Sequence, residues 1–63
     1  MNSIVIDLNG PQGNAFYLIG LAKRLSNQLG IEFEPIYNKM VEAEYDELLD
    51  TFSDHFGDYV EFR

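Results

Sequence analysis

Two groups of residues in this 63-residue chain have types and spacings that chemistry could use. The first is the loop Asn9-Gly10-Pro11-Gln12-Gly13-Asn14, followed directly by Ala15, Phe16 and Tyr17. A glycine-rich loop that runs from a strand into a helix gathers unpaired backbone N–H groups at the positive end of the helix dipole, a setting that suits phosphate or carboxylate. Gly10 and Gly13 would let the backbone approach a ligand closely, Asn9 and Asn14 add amide donors and acceptors, and Phe16 or Tyr17 could stack a base. Lys23 and Arg24 form the only basic pair, but at 1.5 Å per residue they lie roughly 10 Å or more along the helix, so they would reach such a phosphate only across a protomer interface. The loop lacks the Gly-Lys-Ser/Thr ending of a P-loop and the third glycine of the dinucleotide fingerprint. The simpler reading makes it a turn with Asn14 as a helix cap and the aromatics as core.

The second group is Asp46, Asp50 and Asp54, spaced by four so that they form one carboxylate stripe on a helix, with Glu47 on its flank. Such a stripe could meet a basic partner or a hard cation, or be a solvated face. Like charges at that spacing cost a helix about 0.2–0.5 kcal/mol per pair. The run Asp7-Leu8-Asn9-Gly10 starts like a calcium loop, yet Leu18 stands where the bidentate Glu is required, and no metal site is expected. His55 follows Asp54, and adjacent helical residues do not face each other. Ser3, Ser26, Thr51 and Ser53 have no evident base and orienting group, so neither an enzyme nor a cofactor is expected.

These residues need elements to position them. Ser3 to Leu8 alternates, with Ile4, Ile6 and Leu8 on one face, and reads as a strand. Asn14 is a good N-cap for a helix whose apolar stripe is Ala15, Leu18, Ala22, Leu25 and Leu29, with Phe16, Tyr17, Ile19 and Leu21 widening it enough for two neighbours. Gly30 is placed to end it in a Schellman turn, with Ile31 folded back toward Leu25. Pro35 can open a second helix at its first position, running through Ile36, Tyr37, Met40 and Val41, with Glu34 favourable toward its dipole. From about Glu44 a third helical pattern carries Tyr45, Leu48, Leu49, Phe52 and Phe56 to Gly57. Ala43 is a poor cap and a strong helix former, so the pattern over residues 35–56 fits one helix or two. Tyr59 to Phe62 alternates again and should pair with the first strand. The expected fold is a single small α+β domain over residues 1–63, in the order strand, helix, one or two helices, strand. Its two-stranded sheet would need covering helices or a second protomer.

Composition narrows the partners. A 63-residue domain buries only about 60% of its unfolded surface, and the chain has no cysteine and one histidine to offer disulfides or zinc. Self-association, and hence a homo-oligomer, is the remaining remedy. At 46% hydrophobic and 14% aromatic the chain should fold despite a net charge of -7. Eleven acidic residues against four basic ones argue against duplex nucleic acid and membrane surfaces and suit a basic protein surface. The start, Met1 to Leu8, has no basic leader region and no 18-residue apolar span follows, so a cytoplasmic protein is expected.

Taken together, "IDLNGPQGNAFYLIGLAKRL" and "YDELLDTFSDHFGDYVEF" resemble a family of small proteins encoded by tailed bacteriophages. The resemblance covers nearly the whole chain and rests on "GNAF" and "FGDYV"; relatives carry a Ser-Gly turn before the last helix where this chain has Glu42 and Ala43. It implies a setting, a phage protein in the host bacterial cytoplasm during infection, and no activity that carries over residue by residue. Two expectations follow by association. Asp46, Glu47, Asp50 and Asp54 would dock on a basic host protein, such as a defence factor, and inhibit it. Alternatively, an oligomeric sponge would hold a cyclic or ADP-ribose-type nucleotide signal with Asn9, Gly10, Gly13, Asn14, Phe16, Tyr17, Lys23 and Arg24. Net charge favours the first.

Overall fold

The computed structural model describes residues 3–63; Met1 and Asn2, which open the stretch read above for a leader, lie outside the described residues. Strand β1 spans Ile4–Ile6, and a single 3-10 turn at Pro11–Gly13 leads into helix α1, Ala15–Leu29. Helices α2, Phe33–Glu42, and α3, Tyr45–Phe56, follow, and strand β2, Val60–Phe62, closes the order. The fold is the expected α+β domain with a two-stranded sheet.

β1 is shorter than the alternating run. The Asp7 side chain accepts the Asn9 N–H at 2.9 Å, an Asx turn that bends the chain away from the strand axis. Asn14 caps α1 as its residue type predicts, accepting the Phe16 N–H at 2.7 Å. Gly30 ends α1 with φ 72°, a left-handed conformation that only glycine adopts without cost. The N–H groups of Gly30 and Ile31 both turn back to the Ser26 carbonyl, the latter at 2.9 Å. Leu29, expected in the core, is 38% exposed at this end.

Helix α2 starts two residues earlier than the proline implied, at Phe33 with Glu32 as N-cap. Pro35 therefore sits at the third helical position, where its missing N–H is still one of the groups a first turn leaves without an intrahelical partner. The early start lets Phe33 tilt against Tyr37 one turn on, ring centroids 5.7 Å apart. Residues 35–56 form two helices: Ala43 leaves helical geometry at ψ 151° and Glu44 is extended at ψ 166°.

The two strands are parallel, with Ile4 opposite Val60, Val5 opposite Glu61 and Ile6 opposite Phe62. A parallel pair needs a long crossover, here all three helices. Main-chain bonds run Ile4 N–H to Tyr59 O at 3.0 Å, Arg63 N–H to Ile6 O at 2.8 Å and Leu8 N–H to Arg63 O at 2.9 Å. One core draws on every element: Ile6 from β1, Leu18 from α1, Met40 from α2, Phe52 and Phe56 from α3, and Val60 from β2. Phe52 is its hub, tilted against Phe56 at 5.2 Å and against Phe62 at 5.9 Å. A fully buried side chain of this kind contributes about 1.5–3 kcal/mol, while a chain this long has a net stability of about 3–9 kcal/mol. The core therefore has little to spare.

Two substitutions test this packing in opposite directions. A Cβ on Gly13 would collide with the Leu8 carbonyl group, so Gly13→Ala should lower the urea-unfolding free energy by about 1–3 kcal/mol. The Ser26 hydroxyl is fully buried without a hydrogen-bond partner among the described residues, so Ser26→Ala should raise the same quantity by about 1 kcal/mol.

Candidate functional site

The glycine-rich loop turns its polar groups on itself. Gln12 Oε1 accepts the Asp7 N–H at 3.2 Å, and Asp7 accepts from Asn9 through its side chain and from Gly10, at 3.1 Å, through its carbonyl. The N–H groups of Gly13 and Asn14 bond to Gly10 O at 3.0 Å and Pro11 O at 3.2 Å. With Phe16 N–H held by the Asn14 cap, the Asn9, Gly10, Gly13, Asn14 and Phe16 amides are all engaged within the chain. Gly13 is buried, and its missing side chain makes room for the Leu8 backbone of the same chain. Gly10 faces the Asp7 carboxylate, whose Oδ2 would lie 3.5 Å from a Cβ there, so the loop already has a negative group beside it. The Tyr45 hydroxyl, from the first residue of α3, donates to Gly13 O at 2.5 Å and ties the loop to the helices.

The aromatic and basic candidates lie elsewhere, on the outward face of α1. Phe16 is 83% exposed. Together with Tyr17, Gly20, Leu21 and Arg24 it lines an open groove of about 240 Å³. Arg24 thus joins the two aromatics on one helix face, while Lys23 is exposed outside the lining and Asn9, Gly10, Gly13 and Asn14 form a separate cluster in the loop. Gly20 was not singled out in the sequence, although a glycine inside an amphipathic helix is a signal in itself. It costs about 0.5–1 kcal/mol relative to alanine, and a Cβ at this position would meet nothing within 4 Å.

Helix α3 presents the acidic candidates as expected from their spacing. Asp46, Glu47, Asp50 and Asp54 are all exposed, while Leu48, Phe52 and Phe56 of the same helix are buried. Among the described residues the sole ion pair is Arg63 Nε with Glu61 Oε2, at 2.5 Å, so the α3 acids carry no paired cation. Among those residues no group of three or more His, Cys, Asp or Glu side chains converges to hold a metal ion. His55 spends its Nδ1 on the Thr51 carbonyl one turn back, at 2.9 Å. Among the described residues no helix is long and apolar enough to cross a membrane.

No protein-family model, curated protein or solved structure matches this chain. The chemistry of its surface therefore carries the functional reading. The role of Asn14 as a cap can be separated from a role toward a ligand: Asn14→Ala should cost about 0.5–2 kcal/mol in thermal or urea unfolding, and Asn14→Asp, which keeps the accepting oxygen, should restore most of it.

Proposed function

We propose that this protein is a non-enzymatic binding module that docks the outward face of α3 on a basic surface of another protein. The observation that supports it is the set of four exposed carboxylates, Asp46, Glu47, Asp50 and Asp54, on the helix side away from the core and without a paired cation among the described residues. Their mutual repulsion is relieved when a basic surface arrives, and a net charge of -7 steers that encounter. Together with the phage-family resemblance, this reading makes the target a basic host protein, such as a defence factor, held inactive in the bacterial cytoplasm. Binding by a charged helix face requires no pocket and no catalytic group.

A second reading, an oligomeric sponge for a nucleotide signal, draws on Arg24 beside Phe16 and Tyr17 in the α1 groove. Against it stand the Asn9, Gly10, Gly13 and Asn14 amides bonded within the loop and the Asp7 carboxylate beside them. Protein binding is the better supported of the two.

The test is charge reversal on a face that folding does not use. The triple variant Asp46→Lys, Asp50→Lys, Asp54→Lys should keep its helical circular dichroism and lose capture of a basic host polypeptide from bacterial extract. For the wild-type protein the association rate measured with that polypeptide should fall steeply with added salt. Capture of the same polypeptide by the reversed variant would remove the basis of the proposal.

A further inference from the structure

The outward face of α1 has features that neither the protomer fold nor the acidic face of α3 explains. Phe16 leaves 83% of its surface in water. Gly20, one turn on, weakens the helix while its missing side chain makes room for none of the described residues, since a Cβ there would have no neighbour among them within 4 Å. Arg24, one turn further, completes the groove with Tyr17 and Leu21. All eleven acidic residues lie outside residues 8–31, so α1 is the one helix free of carboxylates in a chain of charge -7, and it carries two of the four cations, Lys23 and Arg24.

The spacing of these residues is symmetric. Phe16 and Arg24 stand four residues on either side of Gly20, and Tyr17 and Lys23 stand three on either side. We propose that α1 is the interface of a homodimer, in which two copies pack antiparallel about a twofold axis at Gly20. In that arrangement Gly20 meets the partner's Gly20, which lets the helix axes approach closely. Phe16 lies under the partner's Arg24, and the same contact repeats across the axis, a self-complementary patch of cation–π pairs. The two Arg24 side chains stay apart, roughly 12 Å along the axis at 1.5 Å per residue. A second copy suits this face because every other helix would bring carboxylates against carboxylates, whereas here aromatic faces receive the cations. This interface is independent of the acidic face of α3, which stays open in the dimer.

Sedimentation equilibrium of the full chain at several concentrations tests it, with thermal unfolding of the dilute protein as a control for folding. The wild-type chain should dimerise, and Gly20→Ala should raise the dissociation constant about tenfold or more while leaving the thermal midpoint of the dilute monomer equal or higher. Phe16→Arg places arginine against the partner's Arg24, and Arg24→Phe places phenylalanine against the partner's Phe16. Each single change should weaken the dimer, and the double exchange Phe16→Arg, Arg24→Phe should restore it by rebuilding the same pairs in reverse. A wild-type monomer at every concentration overturns the proposal, as does a dimer indifferent to Gly20→Ala or one that the double exchange leaves as weak as the single changes. A rise in the thermal midpoint of the dilute monomer on adding ADP-ribose or a cyclic dinucleotide, abolished by Arg24→Phe, would give the groove to a small ligand and overturn it too.

Discussion

The pairing of β1 with β2 is the interaction on which the rest of the molecule depends. It joins residues from the two ends of the described chain, Ile4 to Val60 and Ile6 to Phe62, and everything between has to fit within that closure. A two-stranded sheet is marginal alone. This one persists because its inner face is part of the core, with Ile6 fully buried and Phe62 tilted against the Phe52 hub. The dependence runs both ways: the helices cover the strands, and the strands hold the first and last helices in one cluster. With so small a core, losing either part loses both, which is the condition for all-or-none unfolding.

Local chemistry was legible in the sequence wherever a single residue type decides a backbone state. Asn14 accepts the Phe16 N–H as an N-cap, and Gly30 adopts the left-handed turn after α1. The apolar period of α3 likewise marked Leu48, Phe52 and Phe56. What escaped reading was non-local or weakly encoded. The Tyr45 hydroxyl reaches Gly13 O across 32 residues, and no pattern on α3 alone announces it. The break between α2 and α3 falls at Ala43 and Glu44, two residues with no strong breaking tendency, so tertiary packing decides there. Pro35 marked a helix start but left two positions open upstream, and Phe33 used them to join the core margin.

The candidate sites divide along the same line. Spacing by four placed Asp46, Asp50 and Asp54 on one exposed face of α3, because helical geometry alone sets that outcome. The loop drew attention for its glycines, yet Gly13 makes room for the Leu8 backbone of the chain itself, and a Cβ at Gly10 would be in ordinary contact with the Asp7 side chain. A glycine motif indicates close approach without saying what approaches. At Gly20 a Cβ would meet none of the described residues within 4 Å, and that difference is visible only once the surroundings of each glycine are known.

The parallel sense of the ladder also has a mechanical meaning. The N-terminal end of β1 and the C-terminal end of β2 lie at opposite ends of the paired strands. Tension applied across the described chain therefore slides one strand along the other and loads the main-chain bonds from Ile4 to Arg63 together, in shear. An antiparallel pair joined at the same two ends would open like a zipper, one bond at a time. A domain with so little core thus places its few inter-strand bonds where pulling forces act on all of them at once.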